Sequence, residues 1–396
     1  MGDKALAYVC RGNSAFSKKL YNILARGQGN IVFSPLSAHA ILSLMQQGAA
    51  GEPAKCMANT LEVSDINLAA MGYQSLMEML NSIDNVTFHI ANKIFVHSQC
   101  VLKENFKVTA NEYFLTEIER IAFVPDNDSA AEKINQWIEH KTNKKIKNVI
   151  QPDDLTLNTR LILINAIYFK GNWLKQFNPE FTSRDKFYLN DTDSIDCDMM
   201  YAEDGFFYGV DLDLDAQIIK LLYKNTSLSL IIILPRSKTG IHDLEKKLAT
   251  KDLRDINRRL HYADVILSLP RFKVETKIEL NDPLRELGLD IIFQNQVSFP
   301  NVLHSAAPLH VSKIIQKAFI EVSEVGTEAA AATGKSLFYL SICSYLLKMI
   351  SDMTTSVDGS VEEHIFDANH PFAFSVCYHI EENVLPVFFG TLKTLT

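Results

Sequence analysis

Apolar positions recur at helical spacing in three places along the chain. Phe16, Leu20, Ile23 and Leu24 mark one face of a helix expected over about Ala15–Ala25. A second helix is expected from Ser37 towards Met45. A third starts at Ser129-Ala-Ala-Glu132, which has the spacing of a capping box, continues through Ile134, Trp137 and Ile138, and should end near Thr142. Strand-like runs lie between and after these helices: Val86–Val96, Arg160–Tyr168, Gln217–Tyr223, Leu228–Leu234 and Val265–Phe272. The run Leu228-Ser-Leu-Ile-Ile-Ile-Leu-Pro235 is nearly continuous in apolar residues and closed by proline, the mark of a buried strand. Helices and strands do not alternate strictly, so the pattern predicts an α+β fold rather than a doubly wound sheet. No internal repeat, low-complexity block or Pro/Gly-rich linker interrupts it, and one large domain is expected over residues 1–396. No stretch reaches the ~20 apolar residues of a membrane span. The nearest, Leu337–Ile350, is shorter and carries Lys348.

One segment departs from these patterns. Ser323-Glu-Val-Gly-Thr-Glu-Ala-Ala-Ala-Ala-Thr333 is built of small residues. Alanine favours helices and is depleted in strands. Yet Thr327, Ala329, Ala331 and Thr333 alternate with Glu328, Ala330 and Ala332, so an extended conformation would have one face that is small and uncharged throughout. A segment of that kind can stand exposed and later enter a sheet, because nothing on its inner face is too large or too charged to bury. Gly326 offers a hinge, since glycine tolerates backbone angles other residues avoid. By composition alone the same run also suits a surface helix or an Ala-rich linker.

Composition narrows the possible activities. Hydrophobic residues make up 47% of the 396 and charged residues 22%, which is enough apolar material for a large core. The formal net charge of -8 argues against nucleic-acid binding, which needs a basic footprint. The six cysteines are scattered, without a C-x-x-C pair or metal-ligand spacing to histidine, so they are expected to be free and structural. Gly-x-Ser-x-Gly, His-Glu-x-x-His and P-loop patterns are absent, which points away from an enzyme and from any cofactor or metal. Lys246, Lys247, Lys251, Arg254, Arg258 and Arg259 gather basic charge, but Asp252 and Asp255 dilute it. A solvated face is expected there rather than a glycosaminoglycan site, and no Lys or Arg occurs between Lys55 and Lys93 to supply another. The N-terminal residues lack the apolar run of a signal peptide. Asn85-Val-Thr, Asn190-Asp-Thr and Asn225-Thr-Ser match the glycosylation pattern and matter only if the protein is secreted.

Five blocks, in order, resemble the serpins. Asn30-Ile-Val-Phe-Ser-Pro-Leu-Ser37 with Gln47-Gly-Ala-Ala-Gly51 is similar to their helix B region. Ile134-Asn-Gln-Trp-Ile-Glu-His-Lys-Thr142 is similar to helix F. Leu163-Ile-Asn-Ala-Ile-Tyr-Phe-Lys-Gly-Asn-Trp173 followed by Phe177 is similar to strand 3A. Gly326–Thr333 resembles the reactive-loop hinge, and Phe366-Asp-Ala-Asn-His-Pro-Phe-Ala-Phe374 with Phe389-Gly390 resembles the C-terminal signature. The resemblance implies three β-sheets, eight or nine helices and an exposed reactive loop over about residues 324–365. It also implies a monomer that inhibits a serine protease: cleavage of the loop lets the hinge insert as a new strand and carry the acylated protease away. The implied hinge comprises Glu324, Gly326, Thr327, Glu328, Ala329, Ala330, Ala331, Ala332 and Thr333. Ser34, Ser37 and Asn165 fall in the shutter beneath the opening strands, Trp173 in the breach where insertion begins, and Arg271 opposite the hinge glutamate Glu324. The family register puts the reactive bond sixteen positions beyond Glu324, at Leu340–Ser341, which suits a chymotrypsin-like or elastase-like target. The likeness leans towards an extracellular protein, whereas a genuine absence of a signal peptide would mean a cytoplasmic one.

Three features depart from the family pattern. The shutter position often held by histidine is Gln316. Lys335 continues the inward face of the hinge and would carry a charge into the sheet. From Leu340 to Pro371 there are 31 residues, an unusually long return that includes apolar Leu337–Ile350. These features support an alternative, a non-inhibitory serpin that binds a partner through its long apolar loop.

Overall fold

The computed structural model describes residues 2–83, 86–304, 308–327 and 363–395, with the side chains of residues 88 and 89 excepted. Eight helices carry labels here. They are α1 (Gly2–Leu24), α2 (Pro35–Gly48), α3 (Gly51–Leu61), α4 (Ile66–Asn81), α5 (Glu104–Phe114), α6 (Asn127–Lys141), α7 (Ile241–Leu248) and α8 (Leu253–Arg258), and shorter helical turns follow α6 and span 281–293. Helix α1 begins well before Ala15, because buried Ala5, Leu6, Val9 and Cys10 extend the apolar face towards the N-terminus. Helix α2 starts with Pro35, whose missing N–H costs nothing at a first turn, and Ser34 caps it by accepting from the Ser37 N–H. Helix α6 departs from the expected cap. Its N-cap is Asp126, whose carboxylate accepts from the Ser129 N–H at 3.0 Å, so Ser129 lies inside the helix.

The strands are β1 (Ile31–Phe33), β2 (Val86–His97), β3 (Glu117–Ile121), β4 (Leu161–Asn172), β5 (Ser183–Tyr188), β6 (Ser194–Asp211), β7 (Ala216–Leu222) and β8 (Leu228–Pro235). They continue with β9 (His261–Pro270), β10 (Phe272–Glu279), β11 (Lys313–Val322), β12 (Gly326–Thr327), β13 (His364–Asp367), β14 (Phe372–Ile380) and β15 (Asn383–Leu392). A six-stranded sheet has the order β10-β11-β12-β4-β2-β3. A nine-stranded sheet runs β1-β15-β14-β8-β7-β6-β9-β13, with β5 on β6. Two of the three expected sheet regions are thus joined, because long β6 pairs with β5 and β9 through its first part and with β7 over Phe207–Asp211.

Strand β4 explains why its sequence reads as a continuous apolar run. Leu163, Ile167 and Phe169 face the main core, while Ile162, Ile164, Ala166 and Tyr168 face a second core beneath α6. That second core also takes Ile315 and Phe319 from β11 and Ala130, Ala131, Ile134 and Ile138 from α6. Helix α6 therefore lies across the line where β4 and β11 meet.

Candidate functional site: a partly opened strand seam

Strands β4 and β11 run parallel and pair from Ile162 with Lys313 to Tyr168 with Phe319. Beyond that level they separate, and β12 fills the gap. Thr327 pairs antiparallel with Gly171 on one side and Val322 on the other, and Gly326 pairs with Asn172. The described part of the hinge, residues 324–327, is therefore already seated at the open end of the seam. Glu328 to Thr333, Leu340 and Ser341 lie outside the described residues.

Gly326 is needed for close approach more than for flexibility. A Cβ built on it would stand 2.0 Å from the Gly171 carbonyl oxygen and 2.7 Å from the Asn172 Cα, both backbone atoms that cannot turn aside. Thr327 is fully buried, and its hydroxyl shares a 2.6 Å hydrogen bond with the Tyr223 hydroxyl. Tyr223 stacks on Trp173 with ring centroids 4.6 Å apart. Trp173 in turn holds the approaching chain twice: its indole N–H donates to the Ser323 carbonyl and its backbone N–H to the Val325 carbonyl, both at 2.9 Å.

Glu324 is clamped just before the gap. Arg271 Nε donates to both carboxylate oxygens at 2.7 and 2.8 Å, and the Thr182 hydroxyl donates to one of them at 2.6 Å. The Phe177 N–H donates to the Glu324 carbonyl at 3.0 Å. Burial alone would raise the Glu324 carboxyl, but Arg271 and Thr182 together bring it below its ordinary value, and the same pairing raises Arg271. A depressed carboxyl stabilises the fold above its unfolded value, near 4.5, and that contribution is lost as pH falls through the lower folded value. Because Arg271 is partly exposed, the pair contributes about 1 kcal/mol. The unfolding free energies of the wild type and Glu324→Gln should therefore differ at neutral pH and converge as pH falls below the ordinary carboxyl range, as urea titrations at each pH would measure.

Lower in the seam, a rank of buried amides crosses three strands. Gln316 of β11 stands opposite Asn165 of β4, which stands opposite Asn92 of β2. The Gln316 amide donates to Asn165 Oδ1 at 2.6 Å and to the Ser34 carbonyl at 2.9 Å, while Gln316 Oε1 accepts from the Ser34 N–H at 2.8 Å. The Asn165 amide donates to Ser37 Oγ and to Asn92 Oδ1, and the Ser37 hydroxyl donates to Asn92 Oδ1 at 3.0 Å. All five residues are buried. Gln316 thus joins the start of α2 to β11 and β4 with one acceptor and one donor group. The structure brings Ser34, Ser37, Asn165 and Gln316 together, and separately places Trp173, Arg271 and Glu324 around residues 323–325.

Sequence reasoning missed three members of this arrangement. Asn92 carried a signal, being an amide on the inward face of an otherwise apolar strand. Tyr223 and Thr182 carried none, since each reaches the hinge from a distant part of the chain.

Elsewhere the structure bears on the remaining sequence candidates. Arg258 pairs with Glu382, Arg259 with Asp211 at 3.0 Å, Lys251 with Asp213 at 2.7 Å and Lys246 with Asp243 at 3.2 Å, so much of the basic cluster is tied to carboxylates. Cys10, Cys56, Cys100, Cys197 and Cys377 are free thiols, and Cys343 lies outside the described residues. Asn225 is exposed in the β7–β8 turn, Asn190 donates to Asp193 within the β5–β6 turn, and Asn85 lies outside the described residues. Among the described residues no helix is long and apolar enough to cross a membrane.

A family model described as serpin (serine protease inhibitor) matches residues 11–393. Antichymotrypsin-2 of Bombyx mori is 34% identical over 366 residues, covering 92% of this chain and 93% of that protein. The leukocyte elastase inhibitor of Xenopus laevis is 30% identical over 368 residues, covering 91% and 92%. Among solved structures, cleaved Serpin 42Da superposes with a TM-score of 0.84 at 33% identity over the whole of both chains. Serpin48 of the insect Tenebrio molitor gives 0.83 at 29% identity, covering 98% and 99%. With this coverage, and with the strand order and hinge described above, the chain belongs to the serpin family and has the serpin fold.

Proposed function

We propose that this protein inhibits a serine endopeptidase as a suicide substrate, by inserting its cleaved loop into the β4–β11 seam. The observation that carries the reading is the seating of Thr327 between Gly171 and Val322, which begins the strand that insertion would complete. Both pairings can be extended with one register. Ala329 would then meet Phe169 and Ile320, and Ala331 would meet Ile167 and Ala318, all buried in the main core, where a small side chain adds little bulk. Thr333 would arrive between Asn165 and Gln316, where its hydroxyl can take over the bond those amides make directly. On the other face Glu328 would meet Lys170, and Ala330 would slip between Tyr168 and Phe319 beneath α6. Insertion replaces one parallel pairing by two antiparallel ones, which are somewhat more stable per residue.

The same register extends to residue 337, opposite Leu161 at the start of β4, so a bond at Leu340–Ser341 would be delivered just past the far end of the sheet. Leu340 on the acyl side suits an apolar primary pocket, which supports a chymotrypsin-like or elastase-like target. Incubation with chymotrypsin, elastase and trypsin tests this. An SDS-stable covalent complex with one of the first two is expected, and the peptide released from it should begin at Ser341. Cleaved product alone from every protease would refute inhibition, and a peptide beginning at Met349 would move the target class to trypsin-like enzymes.

One observation favours the second reading, a non-inhibitory binding protein. In this register Lys335 would fall between Leu163 and Ile314, both fully buried, and burying an unpaired ammonium there costs several kcal/mol. Lys335→Ala separates the two readings: it should raise the yield of covalent complex if insertion is the working step and leave it at zero if the protein only binds.

A further inference from the structure

Strand β6 carries glycine two residues to either side of Phe207, at Gly205 and Gly209, so no side chain flanks that ring along its own face of the strand. The neighbouring strands supply what lies beside it. Phe207 stands opposite Lys220 of β7 and opposite Tyr262 of β9, so these three form one rank across three strands, with their side chains on one face. The Phe207 and Tyr262 rings meet edge to face with centroids 5.7 Å apart, and the Lys220 ammonium lies 4.2 Å from the Phe207 ring centre. Tyr262 lies over Gly205, where an added Cβ would stand 2.4 Å from its hydroxyl. Leu174 closes the other side, its N–H donating to the Leu222 carbonyl at 2.8 Å. Leu174, Lys175, Phe207, Lys220, Leu222 and Tyr262 thereby line a cavity of about 20 Å³, room for one small group. All six are only partly buried, so the cavity opens to solvent.

Two lysines line this cavity, and one of them is satisfied. Lys175 Nζ donates to Asp204, to the Gly205 carbonyl at 3.0 Å and to the Tyr262 hydroxyl at 3.0 Å, three acceptors for three donors. Although burial tends to lower the Lys175 ammonium, Asp204 and Tyr262 bring it above its ordinary value. Lys220 has the Asn257 side-chain carbonyl at 3.0 Å and the Phe207 ring, and it forms no ion pair with a carboxylate among the described residues. Burial lowers its ammonium below the ordinary value, with Cys377 opposing, as befits a cation without a counter-ion. We propose that this cavity binds a small monocarboxylate, its head on the Lys220 ammonium and its short chain against Leu174, Leu222 and the Phe207 ring. An ammonium beside apolar walls gains a charge-assisted bond from such an anion, and the anion's own chain covers the walls. A second carboxylate on the ligand would face the leucines unpaired, which selects against diacids. The small free volume limits the chain to a few carbons.

Titration of the uncut protein with sodium butanoate, followed by amide chemical shifts, tests the site. Saturable shifts are expected at residues 174, 205–207, 220–222 and 262, with a Kd on the order of 1 mM for so small a ligand. Butanamide, of the same size but uncharged, should bind at least about tenfold more weakly to the same wild-type protein. Lys220→Met should weaken butanoate by a similar factor, whereas Lys186→Met, which removes an exposed lysine paired with Asp196, should leave the Kd unchanged. Equal affinity for butanoate and butanamide would overturn the proposal without recourse to any variant. So would shifts that stay linear in butanoate up to about 50 mM, or a Kd unaltered by Lys220→Met.

Discussion

Thr327→Arg should turn the protein from an inhibitor into a substrate. Thr327 is the last described residue of the hinge, fully buried between Gly171 and Val322 with its hydroxyl on Tyr223. An arginine there would have to place a guanidinium beside the stacked Tyr223 and Trp173 rings, to which no carboxylate is bonded among the described residues. Among the described residues Glu324 is the nearest acid along the chain, and Arg271 already occupies it. An unpaired charge buried at this site costs several kcal/mol, so β12 should leave the sheet and insertion should not begin. Cleavage does not need β12 and should continue at its normal rate. The expected gel has a cleaved band and no covalent complex; complex formed in wild-type yield would mean that insertion does not start at Thr327.

The second large effect is expected from Asn165→Ala. Asn165 sits at the centre of the amide rank, accepting from Gln316 and donating to Ser37 and Asn92. Its removal takes one buried bond each from Gln316, Ser37 and Asn92, on β11, α2 and β2. Three buried hydrogen bonds lost at about 1 kcal/mol each make a loss of roughly 3 kcal/mol the expected result in urea unfolding. The same change weakens the closed seam, because the Gln316–Asn165 bond ties β11 to β4 below the seated hinge. Gln316→Ala should destabilise at least as much, since it also removes three bonds and leaves the Ser34 N–H and Asn165 Oδ1 without their acceptor and donor. A loss below about 1 kcal/mol in either variant would mean that the rank does not hold the seam.

How much of this was legible in the sequence depended on where each contact is made. The segment Val265–Phe272 reads as one strand, but the chain changes sheets at Arg271: β9 ends at Pro270 in the nine-stranded sheet, and β10 starts at Phe272 in the six-stranded one. The Arg271 N–H is spent on the Asp198 carbonyl at this crossing, and its side chain is thereby turned to Glu324. Charge alternation in Lys273-Val-Glu-Thr-Lys-Ile-Glu279 has a strand's period of two, yet the missing apolar run hid it. Strand β4 and helix α2 were plain because burial on all sides leaves continuous apolar runs. The hinge was visible for the opposite reason, as small residues where a surface loop needs none. Its sheet position was not visible in composition, since it depends on the bare Gly171 backbone meeting the bare Gly326 backbone. The bond from the Lys317 ammonium of β11 to the Lys147 carbonyl after α6 was likewise hidden, because a backbone acceptor leaves no mark in the residue types.

The account stands on insertion, and thermal unfolding before and after a single cut between residues 334 and 345 tests it most directly. If the freed hinge enters the seam, two antiparallel ladders of about seven ranks replace one parallel ladder. At roughly 1 kcal/mol net per hydrogen bond, that is a gain on the order of 5–10 kcal/mol. The cut protein should then unfold at least about 10 °C above the intact protein, while cut Thr327→Arg should show no such rise. A cut wild type that unfolds at or below the temperature of the intact protein would contradict the account.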